Sequence, residues 1–106
     1  MAKAAEPRTS RKLRRVMETL RRHLPELQAR FRVRYLGLFG SYVRGTPRRG
    51  SDLDVLVEFA EEPSLFEFID LETHLSALVG LKVDLVMKGT LKPRIGQRIL
   101  SEVVGL

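Results

Sequence analysis

The sequence has no cysteine. Disulfides, zinc–thiolate centres and cysteine nucleophiles are therefore excluded. It has no apolar run of membrane-spanning length, and its opening residues Met1 to Ser10 are polar rather than a secretory apolar core. A soluble, cytoplasmic protein with no membrane partner is the expectation. Internal repeats and low-complexity segments are absent. Acid is scarce in the first third of the chain. Arg8, Arg11, Lys12, Arg14, Arg15, Arg21, Arg22, Arg30, Arg32 and Arg34 crowd there, whereas much of the acid lies between Asp52 and Glu72. The imbalance amounts to nineteen basic against thirteen acidic residues, a net charge of +6. It suits an acidic partner such as nucleotide phosphates, nucleic acid or an acidic protein face, and it equally suits a solvated arginine-rich helix face.

What is present is a normal globular balance, with 43% hydrophobic and 30% charged residues in 106. A length of 106 residues argues for one domain, residues 1–106, able to bury a modest core without covalent staples. Within it, residues 1–10 read as a disordered terminus and 11–30 as an N-terminal helical region. Leu13, Val16, Met17, Leu20, Leu24 and Leu27 recur at helical spacing behind a Thr9 or Ser10 cap. Pro25 predicts a break in that helix, with His23 exposed beside it.

Val33 to Phe39 predicts a strand, Ser41 to Val43 a short helix and Gly45 to Gly50 a basic turn. Leu53 to Phe59 predicts a second strand. Ser64 and Glu67 form a capping box for a second amphipathic helix carrying Leu65, Phe68, Ile69, Leu75, Leu78 and Val79, closed by Gly80. A third strand is expected over Leu81 to Met87. A last helix follows Pro93, with Ile95, Ile99, Leu100 and Val103 as its stripe. The fold class expected is α+β, with α/β-like character: a small mixed sheet flanked by helices. The first two strands pair antiparallel because their link is short. The second and third are joined by a helical crossover and run parallel.

Two short elements carry chemistry. Gly40-Ser41 follows a strand and precedes a helix, so its amides and the serine hydroxyl can hold phosphate oxygens; it can also be an ordinary helix-capping turn. No Gly-Lys-Ser/Thr follows, so it is not a Walker A loop. Asp52 and Asp54 lie two apart, so a strand points both carboxylates to one side. Converging carboxylates repel unless a cation bridges them, and their hard oxygens suit magnesium. The plainer alternative is a turn in which Ser51 and Asp52 only cap the chain. Asp84 lies inside the apolar stretch Leu81 to Val86 and needs a cation or an arginine partner if buried.

Gly40-Ser41-x-x-Arg44-Gly45, then Ser51-Asp52-x-Asp54, then Asp84 on a later strand closely resembles the polymerase-β-like nucleotidyltransferase superfamily. The small size and the Val83-Asp84-Leu85-Val86 strand resemble its minimal nucleotidyltransferases (MNT), antitoxins paired with HEPN-domain ribonuclease toxins. The resemblance runs from about Val33 to the C-terminus. It implies the polymerase-β-like nucleotidyltransferase fold. It further implies that Gly40, Ser41 and Arg44 bind the nucleotide, with Arg44 and Gly45 shaping the turn behind the phosphate loop. Asp52, Asp54 and Asp84 would be the catalytic residues and the ligands of two Mg2+ ions. The implied reaction transfers AMP from ATP to a tyrosine of the cognate HEPN toxin, in a possible hetero-oligomer with it.

The chain has no room for an acceptor-binding domain, so the acceptor is expected on a partner. Two further classes remain open: a non-catalytic antitoxin that acts by binding, and a nucleotidyltransferase acting on RNA through its arginine-rich first helix.

Overall fold

The computed structural model describes residues 10–106. The disordered terminus expected over 1–10 therefore lies, apart from Ser10, outside the described residues. Helix α1 spans Arg11–Phe31, and the Ser10 side chain accepts from the Leu13 N–H at 3.0 Å to cap it. Leu13, Val16, Leu20 and Leu27 are buried along its inner stripe. The break expected at Pro25 does not occur, because the helix continues through it. Pro25 lies on the exposed face, where water can meet the carbonyl that loses its partner, while Leu24 and Leu27 hold the flanking turns against the core. His23 is consequently a mid-helix residue, its Nδ1 2.8 Å from the Thr19 carbonyl oxygen.

Strand β1 (Val33–Phe39) leads into α2 (Ser41–Arg44), then β2 (Leu53–Phe59), α3 (Leu65–Val79) and β3 (Val83–Met87). A 3-10 turn at Lys88–Thr90 precedes α4 (Pro93–Glu102) and a short β4 (Val104–Gly105). The sheet order is β3-β2-β1-β4. β1 pairs antiparallel with β2 and β4, and β2 pairs parallel with β3, so the sheet is mixed as expected. The capping box of Ser64 and Glu67 and the left-handed Gly80 cap of α3 are both present.

Three sequence expectations need correction. β3 begins at Val83 rather than Leu81. In α3 the buried residues are Leu71 and Leu75, while Leu65 and Ile69 are exposed beside Phe66. The stripe expected on α4 is likewise not a core stripe. Ile95 and Leu100 face solvent, Gly96 is the buried position, and Val103 is the C-cap. β4, two residues long, was too short to leave a period-two pattern.

Alternation along β2 sorts its side chains. Leu53, Val55 and Val57 join the core with Leu36 and Leu38 of β1, Val83 and Leu85 of β3, and the inner faces of α1 and α3. Asp54 necessarily points to the opposite face of the sheet.

β3 is an edge strand, and α3 covers its outer hydrogen-bonding groups. Glu72 Oε2 accepts from the Leu85 N–H at 2.9 Å, and Ser76 Oγ accepts from the Val83 N–H at 3.0 Å. Glu72→Ala should destabilise the protein by about 1–2 kcal/mol, the cost of orphaning a part-buried amide. Glu72→Gln retains an acceptor and should cost less. Chemical denaturation of the two variants measures the difference, and equal costs would contradict this role.

Candidate active site

The antiparallel register sets Phe39 opposite Asp54, and the parallel register sets Asp84 beside Asp54 on the other flank. The end of β1 and the starts of β2 and β3 therefore meet at one edge of the sheet. Gly40 follows β1 at φ 85° and ψ −158°, a backbone conformation that side chains with a Cβ rarely adopt. A Cβ there would collide with the Asp54 carboxylate, lying 2.9 Å from its Cγ. The glycine thus lets the loop backbone lie directly against Asp54. Ser41 opens α2, and Gly45 closes it in the left-handed region. The Tyr42 ring packs against the core, its hydroxyl 3.5 Å from the Ser51 carbonyl oxygen.

Asp52 lies just before β2 and is partly exposed, and Leu53 between the two aspartates is fully buried. Asp84 is exposed, so the expectation of an acid needing a partner to be buried does not hold. It stands beside Asp54 instead. Burial pushes the Asp54 carboxyl up from 3.8 to about 6, and the carboxylates of Asp84, Asp52 and Glu102 push the same way against the opposing Arg44 guanidinium.

Sequence reasoning missed Glu102. It lies in the last turn of α4, 62 residues from Gly40, and its one signal was to be the only acid after Asp84. Its Oε2 accepts from the Gly40 N–H at 3.1 Å, and Arg44 Nη1 donates to both its oxygens at 3.0 and 3.1 Å. Sequence proximity thus brought Gly40, Ser41 and Arg44 together, the sheet registers added Asp54 and Asp84, Asp52 came with its neighbour Asp54, and α4 supplied Glu102.

The donor set is hard oxygen at an open edge. Among the described residues no three acidic or imidazole side chains close into a preformed metal cage. An open set fits magnesium, which keeps waters and takes oxygens from a phosphate ligand. Burial first, and then repulsion from the neighbouring carboxylates, raise the Asp54 pKa, and a bound cation would offset both. A separate cavity of about 610 Å³, lined by Glu58, Phe59, Pro63, Met87 and Lys88, lies at the other end of β2 and β3.

The Asp54 shift makes a stability prediction. A carboxyl that binds its proton more tightly when folded stabilises the protein below pH 3.8, and that contribution is lost as pH rises to about 6. Asp54→Asn should therefore stabilise the metal-free protein at pH 7.5 by roughly 1 kcal/mol, discounted because the group is partly exposed to solvent. The gain should nearly vanish at pH 4. Thermal unfolding at the two pH values checks this, and a larger gain at pH 4 would contradict it.

Comparison with known proteins places these features in context. Residues 20–105 match the family described as "Nucleotidyltransferase domain". The chain is 53% identical over 92 residues to "Protein adenylyltransferase MntA" of Thermococcus cleftensis, covering 87% of this chain and 93% of that protein. Its fold superposes on a solved structure described as a minimal nucleotidyltransferase with a TM-score of 0.73 at 35% identity, over 87% of this chain and 94% of that one. It also superposes on a chain in a mutant of the MntA–HpeT toxin–antitoxin complex, with a TM-score of 0.63 at 25% identity over 88% and 69% of the two chains.

Proposed function

This chain belongs to the nucleotidyltransferase domain family and is a nucleotidyltransferase, and we propose that it is an antitoxin that transfers AMP from ATP to a tyrosine hydroxyl of a HEPN-domain ribonuclease toxin. The observation that carries the reading is the placement of Asp54 beside Asp84 in register, with Gly40 packed on Asp54. The protein-adenylating name of the Thermococcus relative and the toxin–antitoxin complex among the structural neighbours support the acceptor class. In this reading the pair would act in the cytoplasm, where a toxin of this class would meet cellular RNA.

In this reading Gly40, Ser41 and Arg44 bind the triphosphate. Glu102 engages Arg44 through Nη1. No bond from Nε or Nη2 is formed among the described residues, which leaves both for phosphate oxygens. Asp52, Asp54 and Asp84 would hold two magnesium ions, which would supply charge neutralisation at the α-phosphate and the leaving pyrophosphate.

The tyrosine oxygen forms a bond to the α-phosphorus while the bond from that phosphorus to the bridging oxygen breaks. The α-phosphate becomes a phosphodiester and pyrophosphate leaves with the bridging electron pair. Asp84, exposed at the edge of the site, accepts the hydroxyl proton. The added AMP puts bulk and negative charge beside the toxin's ribonuclease site and excludes RNA there.

The expected result is pyrophosphate release from ATP only when magnesium and the partner protein are both present. Release without the partner, accompanied by nucleotide incorporation into RNA, would contradict a protein acceptor and point to RNA instead.

A further inference from the structure

Among the described residues, Glu102 is the one acid facing Asp54 that the reaction above leaves without a task. Its side chain is 23% exposed and, among the described residues, bonds to two groups only, the Gly40 amide and the Arg44 guanidinium. These groups flank Ser41. One carboxylate therefore ties the backbone of the phosphate loop to the side chain that closes it.

The element delivering Glu102 has few other anchors. α4 buries Gly96, and β4 beyond it pairs with β1 at Gly37 and Leu38. Val103, next to Glu102, lies over Gly37, where a Cβ would come within 2.7 Å of its Cγ2. The end of α4 is thus seated at the last residues before the loop, and Glu102 reaches into the loop from there.

We propose that Glu102 is a positioning residue for nucleotide binding, holding Arg44 and the Gly40 amide in the geometry that receives the triphosphate. The inference rests on the reading of Gly40, Ser41 and Arg44 as the phosphate-binding residues. An unheld arginine loses rotamer freedom when it meets a phosphate, whereas one already clamped has lost it beforehand and binds more tightly. The clamp uses Nη1 of the guanidinium, so it orients the fork without consuming it.

The test measures binding of a non-hydrolysable ATP analogue with magnesium to the wild type, Glu102→Ala, Glu102→Gln, Arg44→Ala and the Glu102→Ala/Arg44→Ala double variant. Calorimetry is run well below each unfolding midpoint. Glu102→Ala should weaken binding about tenfold, the scale of a lost charge-assisted contact. Arg44→Ala should match it, and the double variant should bind no worse than Arg44→Ala alone, because both act through one group. Glu102→Gln keeps an acceptor and should recover part of the loss. In turnover, KM for ATP should rise more than kcat falls.

Unchanged affinity with a lowered unfolding midpoint would reduce Glu102 to a structural tie and overturn the proposal. Tighter binding would overturn it too, by making the carboxylate a rival of the phosphate, and so would additive losses in the double variant. A wild-type protein that binds no analogue would sink the reading of the loop itself, and a failure of that kind is visible before any variant is made.

Discussion

Replacing Asp52 and Asp54 together by asparagine should lower AMP transfer on the order of 10³-fold or more, while the protein stays folded and still binds its partner. Both substitutions preserve shape and remove charge. Fully buried Leu53 between them anchors the start of β2 and is untouched. Asp54 loses a carboxylate whose partial burial and acidic neighbours together outweigh Arg44 in opposing its ionisation, so the fold without metal gains stability rather than losing it. What disappears is the negative charge that holds cations where charge develops in the transition state, an interaction of the kind that dominates such rate enhancements. A purely binding antitoxin would show the opposite pattern, with the variant neutralising its partner as well as the wild type does. Radiolabel transfer from ATP, measured beside partner pull-down, separates the two.

Gly40→Ala should be nearly as damaging, by a different route. The new methyl would enter the space of the Asp54 carboxylate, 3.1 Å from its Cβ as well as against its oxygen. Asp54 lies in the second of four strands, bonded on both flanks, so it cannot step aside without moving the sheet edge. The backbone at φ 85° would also be strained by any Cβ, at about 1–3 kcal/mol. Misplacing the loop or Asp54 by about an ångström should cost on the order of 10²-fold in transfer.

Gly80→Ala provides the control. Gly80 also has positive φ, at 70°, but a Cβ there meets nothing within 4 Å. It should lose stability of similar origin and keep its activity. Equal activity losses in the two variants would mean that backbone strain alone, and no contact with Asp54, explains the effect.

The parts of the fold written in the sequence are those whose cause is local. Gly40, Gly80, Ser64 and Glu67 mark turns and caps through their own conformational chemistry, and all four stand where that chemistry places them. The two strands carrying the aspartates and the parallel crossover between them were likewise legible, from β-branched runs and connection length. Pro25 does not break the helix because a proline on a solvated helix face loses one bond that water replaces, and exposure is not legible in local propensity. The α4 stripe misled because apolar spacing records which residues share a face, not whether anything covers that face.

For the site, Gly40, Ser41, Asp52, Asp54 and Asp84 could be singled out from their places in turns and strands, and Arg44 through the family resemblance. Glu102 could not. Its position beside Gly40 depends on where α4 ends and β4 pairs, which is tertiary information.

The most direct test is the intact mass of the partner toxin after co-expression with this protein. The toxin should gain one or more AMP units on tyrosine with the wild type and none with the Asp52→Asn/Asp54→Asn variant. A toxin of unchanged mass, neutralised by both forms, would contradict AMP transfer.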